Sequence, residues 1–137
     1  MRRNATILLH WSVLILLMLL LAAGTGSAVL SWLFGVAGLA MCSLAVVFGL
    51  LNGPGPALAG TLRRVHPWAH RGMYLFLGIC SVSVLAARFG LTLPGPAPRE
   101  LLIGLLGAGL LHGIFNLWRS SALNDGALRR MLPGGWL

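Results

Sequence analysis

The chain's four histidines are the side chains best suited to bind a metal or a cofactor. They are His10, His66, His70 and His112, and three of them, His10, His70 and His112, fall inside long apolar segments. A neutral imidazole without a hydrogen-bond partner costs several kcal/mol in hydrocarbon. Ionisable groups inside a membrane span are therefore functional candidates by default.

His10 and His112 are expected to lie at the same depth. His10 is about five residues into the first apolar segment, and His112 is about seven residues before Arg119, where the fourth segment ends. At a rise of about 1.5 Å per residue, both would sit about 8–11 Å inside one leaflet. Two histidines at matching depth on different helices can hold a flat metal macrocycle from both faces. Haem is the natural candidate, and two axial histidines favour electron transfer over oxygen binding.

The other two histidines are interpreted differently. His66 precedes Pro67, which disfavours helical geometry at His66 and suits the first helical position itself. We therefore expect His66 at the edge of a loop, in a solvated or lipid-facing role rather than as a ligand. For His70 three roles stay open: iron ligand, hydrogen-bond partner of a propionate or a quinone oxygen, or partner of a neighbouring backbone carbonyl.

Small and basic residues near the candidate ligands have two interpretations each. Ala108, Gly109 and Gly113 surround His112 and would allow close approach either of a cofactor or of another helix. Several arginines near the same membrane face could pair with haem propionates, or could simply meet lipid headgroups. They are Arg3, Arg64, Arg71 and Arg119.

Four apolar segments must position these residues. The chain is 58% hydrophobic and 9% charged, whereas a soluble domain is about 25% charged. Each segment is close to the roughly 20 residues that cross a bilayer, and lipid requires them to be helical. The sequence predicts an all-α integral membrane four-helix bundle, residues 1–137 forming a single transmembrane domain with helices at about 5–23, 28–51, 68–89 and 99–119 and a tail at 120–137.

The arginines predict the orientation of the bundle. Two, Arg88 and Arg99, fall on one side of the predicted spans, and eight fall on the other: Arg2, Arg3, Arg63, Arg64, Arg71, Arg119, Arg129 and Arg130. The positive-inside rule then places both termini and the middle loop in the cytoplasm. The formal charge of +8 is thereby attributed to anionic lipid headgroups and not to nucleic acid.

Two further sequence features are given structural interpretations. The first apolar segment has basic residues before it and small residues after it, as a signal peptide does, but it is long for a signal core and contains His10. We therefore expect it to be retained. Cys42 and Cys80 lie within apolar segments, without metal-ligand spacing, and are interpreted as small buried side chains.

The C-terminal segment resembles a known family. Residues 112–119 read HGIFNLWR and residues 124–134 read NDGALRRMLPG. Together with His10-Trp11 at the start of the first helix, and His70 and Tyr74 in the third, this pattern is similar to the bacterial di-haem cytochromes b561. The similarity covers most of the chain, strongly over the last 26 residues and loosely in the middle.

The resemblance implies one haem b and a location. The family's cytoplasmic-side haem is held by histidines of the first and fourth helices, which correspond to His10 and His112 as iron ligands. The further cofactor-binding candidates are His70, Arg71 and Arg119. The family's second, outer haem needs a histidine in the second helix, which has none here, and the outer site is therefore expected to be absent. The location implied is the bacterial inner membrane.

Two function classes follow. The leading prediction is a b-type haem electron-transfer protein, or the membrane subunit of a respiratory redox complex, that exchanges electrons with quinone or a protein partner. Whether it is an oxidoreductase subunit stays open, because no independent catalytic site is visible. The alternative is a haem-free accessory subunit derived from the same family, in which Gly35, Gly38, Gly104 and Gly107 would be helix-packing residues. A transporter is disfavoured because no carboxylate lies within a span.

Overall fold

The computed structural model describes residues 2–50 and 53–131, apart from the side chain of Arg2. All regular secondary structure in that part of the chain is helical. The tail residues 132–137, which carry the end of the family-like motif, lie outside the described residues. The helices are α1 (Arg2–Ala23), α2 (Ala28–Phe48), α3 (Gly60–Arg88), α4 (Pro98–Ala122) and a single 3-10 turn, Arg129–Met131. The four long helices are each long and apolar enough to cross a membrane. The predicted all-α class, with four helices that could span a membrane, is therefore confirmed.

Local signals set two of the helix starts. The Ser27 hydroxyl accepts a hydrogen bond from the Leu30 N–H at 3.4 Å and caps α2, after a turn in which Gly24 adopts φ +83°, a backbone conformation that glycine tolerates best. Helix α4 begins with Pro98, and the Glu100 carboxylate accepts from the Ala97 N–H at 3.0 Å. The carboxylate also complements the positive end of the helix dipole.

The predicted start of α3 at residue 68 is wrong, because the helix begins at Gly60 and Pro67 lies inside it. Pro67 predicts a helix start because proline lacks an N–H and suits the first helical turn. Hydrogen bonds to the preceding loop hold the extra turns: the Arg63 guanidinium donates to the carbonyls of Gly55 at 3.1 Å and Leu58 at 3.5 Å. These bonds fix the loop against the first turns of α3, so the helix is already formed when the chain reaches Pro67.

The helices pack in chain order, α1 also contacts α4, and this contact is the least extensive of those between neighbouring helices. The main apolar cluster fills one half of the bundle, where α1 and α3 end and α2 and α4 begin. Its fully or almost fully buried members are Leu20, Phe34, Cys80, Val84 and Leu102. Large apolar side chains also cover the outward faces of all four helices, as expected for a surface that meets lipid.

The opposite half of the bundle is where the histidines lie. We call this the basic end: the end at which α1 and α3 begin, α2 and α4 finish, and the tail folds back. The tail is held there by a hydrogen bond from the Trp11 indole to the Met131 carbonyl at 3.0 Å and by one from the Leu128 N–H to the Ser120 hydroxyl at 2.8 Å. The tail thus contacts both the first and the last helix.

Candidate functional site

All four histidines lie on the inward faces of their helices. His10 continues the buried row of α1 formed by Thr6, Val13 and Leu17, and His112 lies between the buried residues Leu105 and Arg119 of α4. These spacings of three, four and seven residues place side chains on one helical face. The same rule puts His66 and His70 on the row of α3 that includes the buried Leu77. The basic end therefore concentrates imidazoles inside the bundle.

Three of the histidines are in contact. The rings of His66 and His70 have centroids 4.2 Å apart, and those of His70 and His112 are 4.9 Å apart at 76° to each other. Two imidazoles on opposite sides of one iron, with bonds of about 2 Å, would keep their centroids about 6 Å apart. His70 and His112 are therefore too close, in this arrangement, to be the two axial ligands of one haem.

The hydrogen bond of His70 leaves one ring nitrogen available. Its Nδ1 lies 3.1 Å from the backbone carbonyl of His66, and because a carbonyl only accepts, Nδ1 must carry the proton. The lone pair of His70 is then on Nε2. Metal-binding histidines are commonly oriented by such a bond through the other ring nitrogen. Of the three roles left open for His70, the structure shows the bond to a neighbouring carbonyl, which is also compatible with ligation.

His112 has a partner that the sequence analysis did not identify. The amide Nδ2 of Asn116 lies 3.0 Å from His112 Nε2 and 2.9 Å from the carbonyl of the same histidine. The amide donates to both, so Nε2 holds the lone pair and Nδ1 holds the proton. Asn116 follows His112 by four residues on the same face of α4, a spacing that could have revealed it. For Nε2 to bind iron, the Asn116 amide has to turn away.

His10 is the least constrained of the four. Its ring is half-buried and contacts Trp11 edge-on, with centroids 6.1 Å apart. No residue in the described part of the chain hydrogen-bonds to its ring nitrogens. His10 also lies near enough to His112 for an electrostatic interaction between the two side chains. The pair selected by depth is thus brought to one end of the bundle, on α1 and α4, the neighbouring helices that pack less closely than the others.

Open space adjoins His112 on α4. A Cβ added at Gly109 or Gly113 would meet no atom of another element within 4 Å, and the same holds for Gly107. The glycines that do contact a neighbouring helix lie elsewhere: Gly35, Gly38 and Gly104 against α3, and Gly78 against Cys42 of α2. Of the two interpretations of Gly109 and Gly113, the structure therefore does not show helix packing, and Gly113 is exposed on the surface of the bundle.

Arg119 is almost completely buried, at 2% exposure. Most of its N–H groups already have hydrogen-bond acceptors within the protein. It forms an ion pair with Asp125 through Nε and Nη2. Nη2 also donates to the Pro54 carbonyl at 2.7 Å, and Nη1 donates to His66 Nε2 at 2.8 Å. Of its five N–H groups, one on Nη1 is left. The guanidinium joins the α2–α3 loop, α3, α4 and the tail.

The expectation for His66 is wrong. The residue lies in α3, not at a loop edge, and at 4% exposure it is neither solvated nor facing lipid. Burial is possible because Nε2 accepts from Arg119, which requires the proton on Nδ1. That Nδ1 is buried without a partner among the described residues. An unsatisfied buried donor costs about 1–3 kcal/mol, so the basic end carries a buried donor that no described residue satisfies.

Arg71 does not join the histidine cluster. Its guanidinium lies over the ring of Trp68, 4.9 Å from the centroid, and is exposed. The side chain lines a groove between α2 and α3 instead. Its predicted role toward a propionate stays a prediction.

Comparison with known proteins yields no match to a protein family, to a curated protein or to a solved structure. Over residues 2–50 and 53–131, no group of three or more histidine, cysteine or acidic side chains is arranged to hold a bare metal ion. A haem requires only its two axial ligands from the protein. The donor chemistry of His10 and His112 fits that requirement, with Asn116 as the group that must move.

Proposed function

We propose that the protein is a b-type haem electron-transfer protein of the inner membrane of a bacterium, or the membrane subunit of a redox complex there. One haem would lie between α1 and α4 at the basic end, with His10 and His112 as axial ligands. The observation that carries the proposal is the pairing of these two inward-facing histidines on α1 and α4, which pack less closely than the other neighbouring helices of the bundle. Bound haem would supply reversible one-electron chemistry at its iron.

The protein's own residues have separate roles in this proposal. The bond from His70 Nδ1 to the His66 carbonyl holds the His70 ring beside His112. The Arg119–Asp125 pair fixes the end of α4 and thus the position of the helix that carries His112. The packed cluster around Phe34 and Leu102 fills the other half of the bundle with side chains, which supports a single haem. Quinone or a protein partner is the proposed electron-exchange partner.

The absorption spectrum of the purified, dithionite-reduced protein tests haem binding. We expect a sharp α-band and one haem per chain, since two axial histidines give a low-spin b-type centre. His10→Ala and His112→Ala should each lose the haem. His66→Gln is the control, since that histidine is expected to hold Arg119 and not iron. A spectrum without an α-band, or haem retained in both alanine variants, would refute the assignment.

A haem-free accessory subunit is the second candidate, and one observation favours it. Asn116 satisfies His112 Nε2 within the chain, so this histidine has a structural partner without any cofactor. The two functions separate experimentally: an accessory subunit would co-purify with stoichiometric membrane partners and show no haem band. Addition of haemin during expression should then leave the spectrum unchanged.

A further inference from the structure

A groove of about 820 Å³ lies between α2 and α3, separate from the histidine cluster. Helix α2 contributes Cys42, Ala45 and Val46, and α3 contributes Ile79 and Val82 among others. The lining is predominantly apolar and contains no histidine among the described residues. Histidine could not ligate a haem there, so we expect a different kind of ligand in this groove.

The part of the groove that α3 lines has about the length of one membrane leaflet. It extends from Arg71 to Val82, eleven residues, which is about 16 Å of helix, and Leu93 of the α3–α4 loop lines the groove as well. Half of a hydrocarbon core of about 30 Å has nearly the same depth. An acyl chain that enters at the basic end would therefore follow the groove to the middle of the bilayer.

One charged residue stands at the basic end of this groove. Arg71 alone among the described lining residues carries a charge, and it is exposed and stacked on Trp68. Tryptophan is enriched at the headgroup level of a membrane, and Arg71 shares the groove lining with Gly49 and Leu50, just after the end of α2. The chain's two acidic residues are used elsewhere, Asp125 by Arg119 and Glu100 at the start of α4. Arg71 is thus a cation at headgroup depth without a carboxylate partner.

We propose that this groove binds one anionic phospholipid, with its phosphate at Arg71 and one acyl chain along α2 and α3 toward Val82. Basic pockets between membrane helices bind anionic headgroups in this way. A zwitterionic lipid would fill the same apolar groove but bring no net charge to Arg71. An uncharged quinone would gain still less from the guanidinium. The proposal does not depend on haem ligation, because neither proposed iron ligand, His10 or His112, lines the groove.

Native mass spectrometry of the full chain in mild detergent tests the proposal, with dioleoyl phosphatidylglycerol and dioleoyl phosphatidylcholine as probes. We expect one retained phosphatidylglycerol, bound about fivefold more tightly than phosphatidylcholine, which corresponds to about 1 kcal/mol for one arginine. Arg71→Gln should remove this preference. Arg64→Gln is the matched control, because Arg64 lies two turns earlier on α3, outside the groove lining, and should keep the preference.

Ala45→Phe tests the contribution of the apolar groove to lipid binding separately from that of the Arg71 charge. Its larger ring should fill the groove and weaken both lipids, whereas Arg71→Gln should weaken only the anionic one. Phosphatidylglycerol with a photoactivatable acyl chain should label the wild-type protein at residues of the groove, a measurement that requires no variant. Equal affinity for the two lipids, equal loss in Arg64→Gln, labelling spread evenly over all four helices, or displacement of the lipid by equimolar ubiquinone would each overturn the proposal.

Discussion

Nε2 of His112 has two alternative partners, the Asn116 amide and a haem iron, and haem can bind only if the iron replaces the amide. In the structure the amide donates to Nε2, the nitrogen that would meet iron. Haem binding must therefore break one hydrogen bond, which is worth about 1 kcal/mol.

Replacement of Asn116 by alanine should strengthen haem binding. With Nε2 already free, we expect the dissociation constant for haem to fall about fivefold, the equivalent of that one bond. Titration of the haem-free protein with haemin, followed by absorbance, measures the change. Asn4→Ala, which alters an exposed asparagine at the start of α1, is the matched control and should have no effect. Weaker binding in Asn116→Ala would instead mean that the amide orients His112 for ligation.

Arg119 and Asp125 should be coupled in stability. Arg119→Gln leaves the buried Asp125 carboxylate without its cation and removes the donor to His66 Nε2, so we expect a loss of about 3–5 kcal/mol of unfolding free energy. Asp125→Asn should cost a similar amount because it leaves a buried guanidinium. The double variant should lose clearly less than the sum of the two.

Thermal unfolding in detergent, followed by circular dichroism, measures this coupling. Arg64→Gln removes an exposed arginine of the same basic end and should leave the midpoint unchanged. Additive losses in the double variant would contradict the ion pair as the main contact of Arg119.

The sequence predicted the inward histidines better than their partners. Membrane depth and helical spacing are local properties, and they were enough to place His10 and His112 at one end. The bond from Arg119 to His66 joins residues 53 positions apart, and no local pattern encodes such a contact. The burial of His66 depends on that bond, which explains why a loop-edge position seemed reasonable from the sequence.

At the scale of the helices, Gly38 is expected to be essential for the contact between α2 and α3. A Cβ at this position would overlap the Ser81 hydroxyl and come 3.2 Å from Leu77 Cδ1. Gly38→Val should therefore force the helices apart and cost about 1–3 kcal/mol, as overpacking does. Detergent unfolding measures the loss. Gly107→Ala is the control, since open space surrounds it, and it should cause no loss; equal losses in both variants would contradict close packing at Gly38.

The helix boundaries show where sequence signals suffice. Ser27 and Pro98 lie at starts of helices whose caps are formed by their own neighbours, and the predicted starts of α2 and α4 agree with the structure to within one residue. The start of α3 differs by eight residues because the loop that immediately precedes the helix holds its first turns. Pro67 is a correct signal in isolation, but the contacts of Arg63 with that loop override it.

The whole molecule divides into two halves with different contents. One half is a packed apolar cluster, and the other contains the histidines, the Arg119–Asp125 pair and the returning tail. A bundle closed by apolar packing at one end can leave α1 and α4 loosely packed at the other without losing its fold. This division explains how a small protein could hold a large flat cofactor between two of its four helices.

The orientation of the whole bundle is the last expectation to be tested. Eight arginines on one side and two on the other should keep both termini in the cytoplasm. In a bacterial host, green fluorescent protein fused after residue 137 should fluoresce, as should a fusion in the α2–α3 loop after Gly53. Alkaline phosphatase fused after Gly95, in the α3–α4 loop, should be active, because it folds only outside the cytoplasm. Phosphatase activity at the C-terminus would contradict this orientation, and opposite locations for residue 53 and the C-terminus would contradict four crossings.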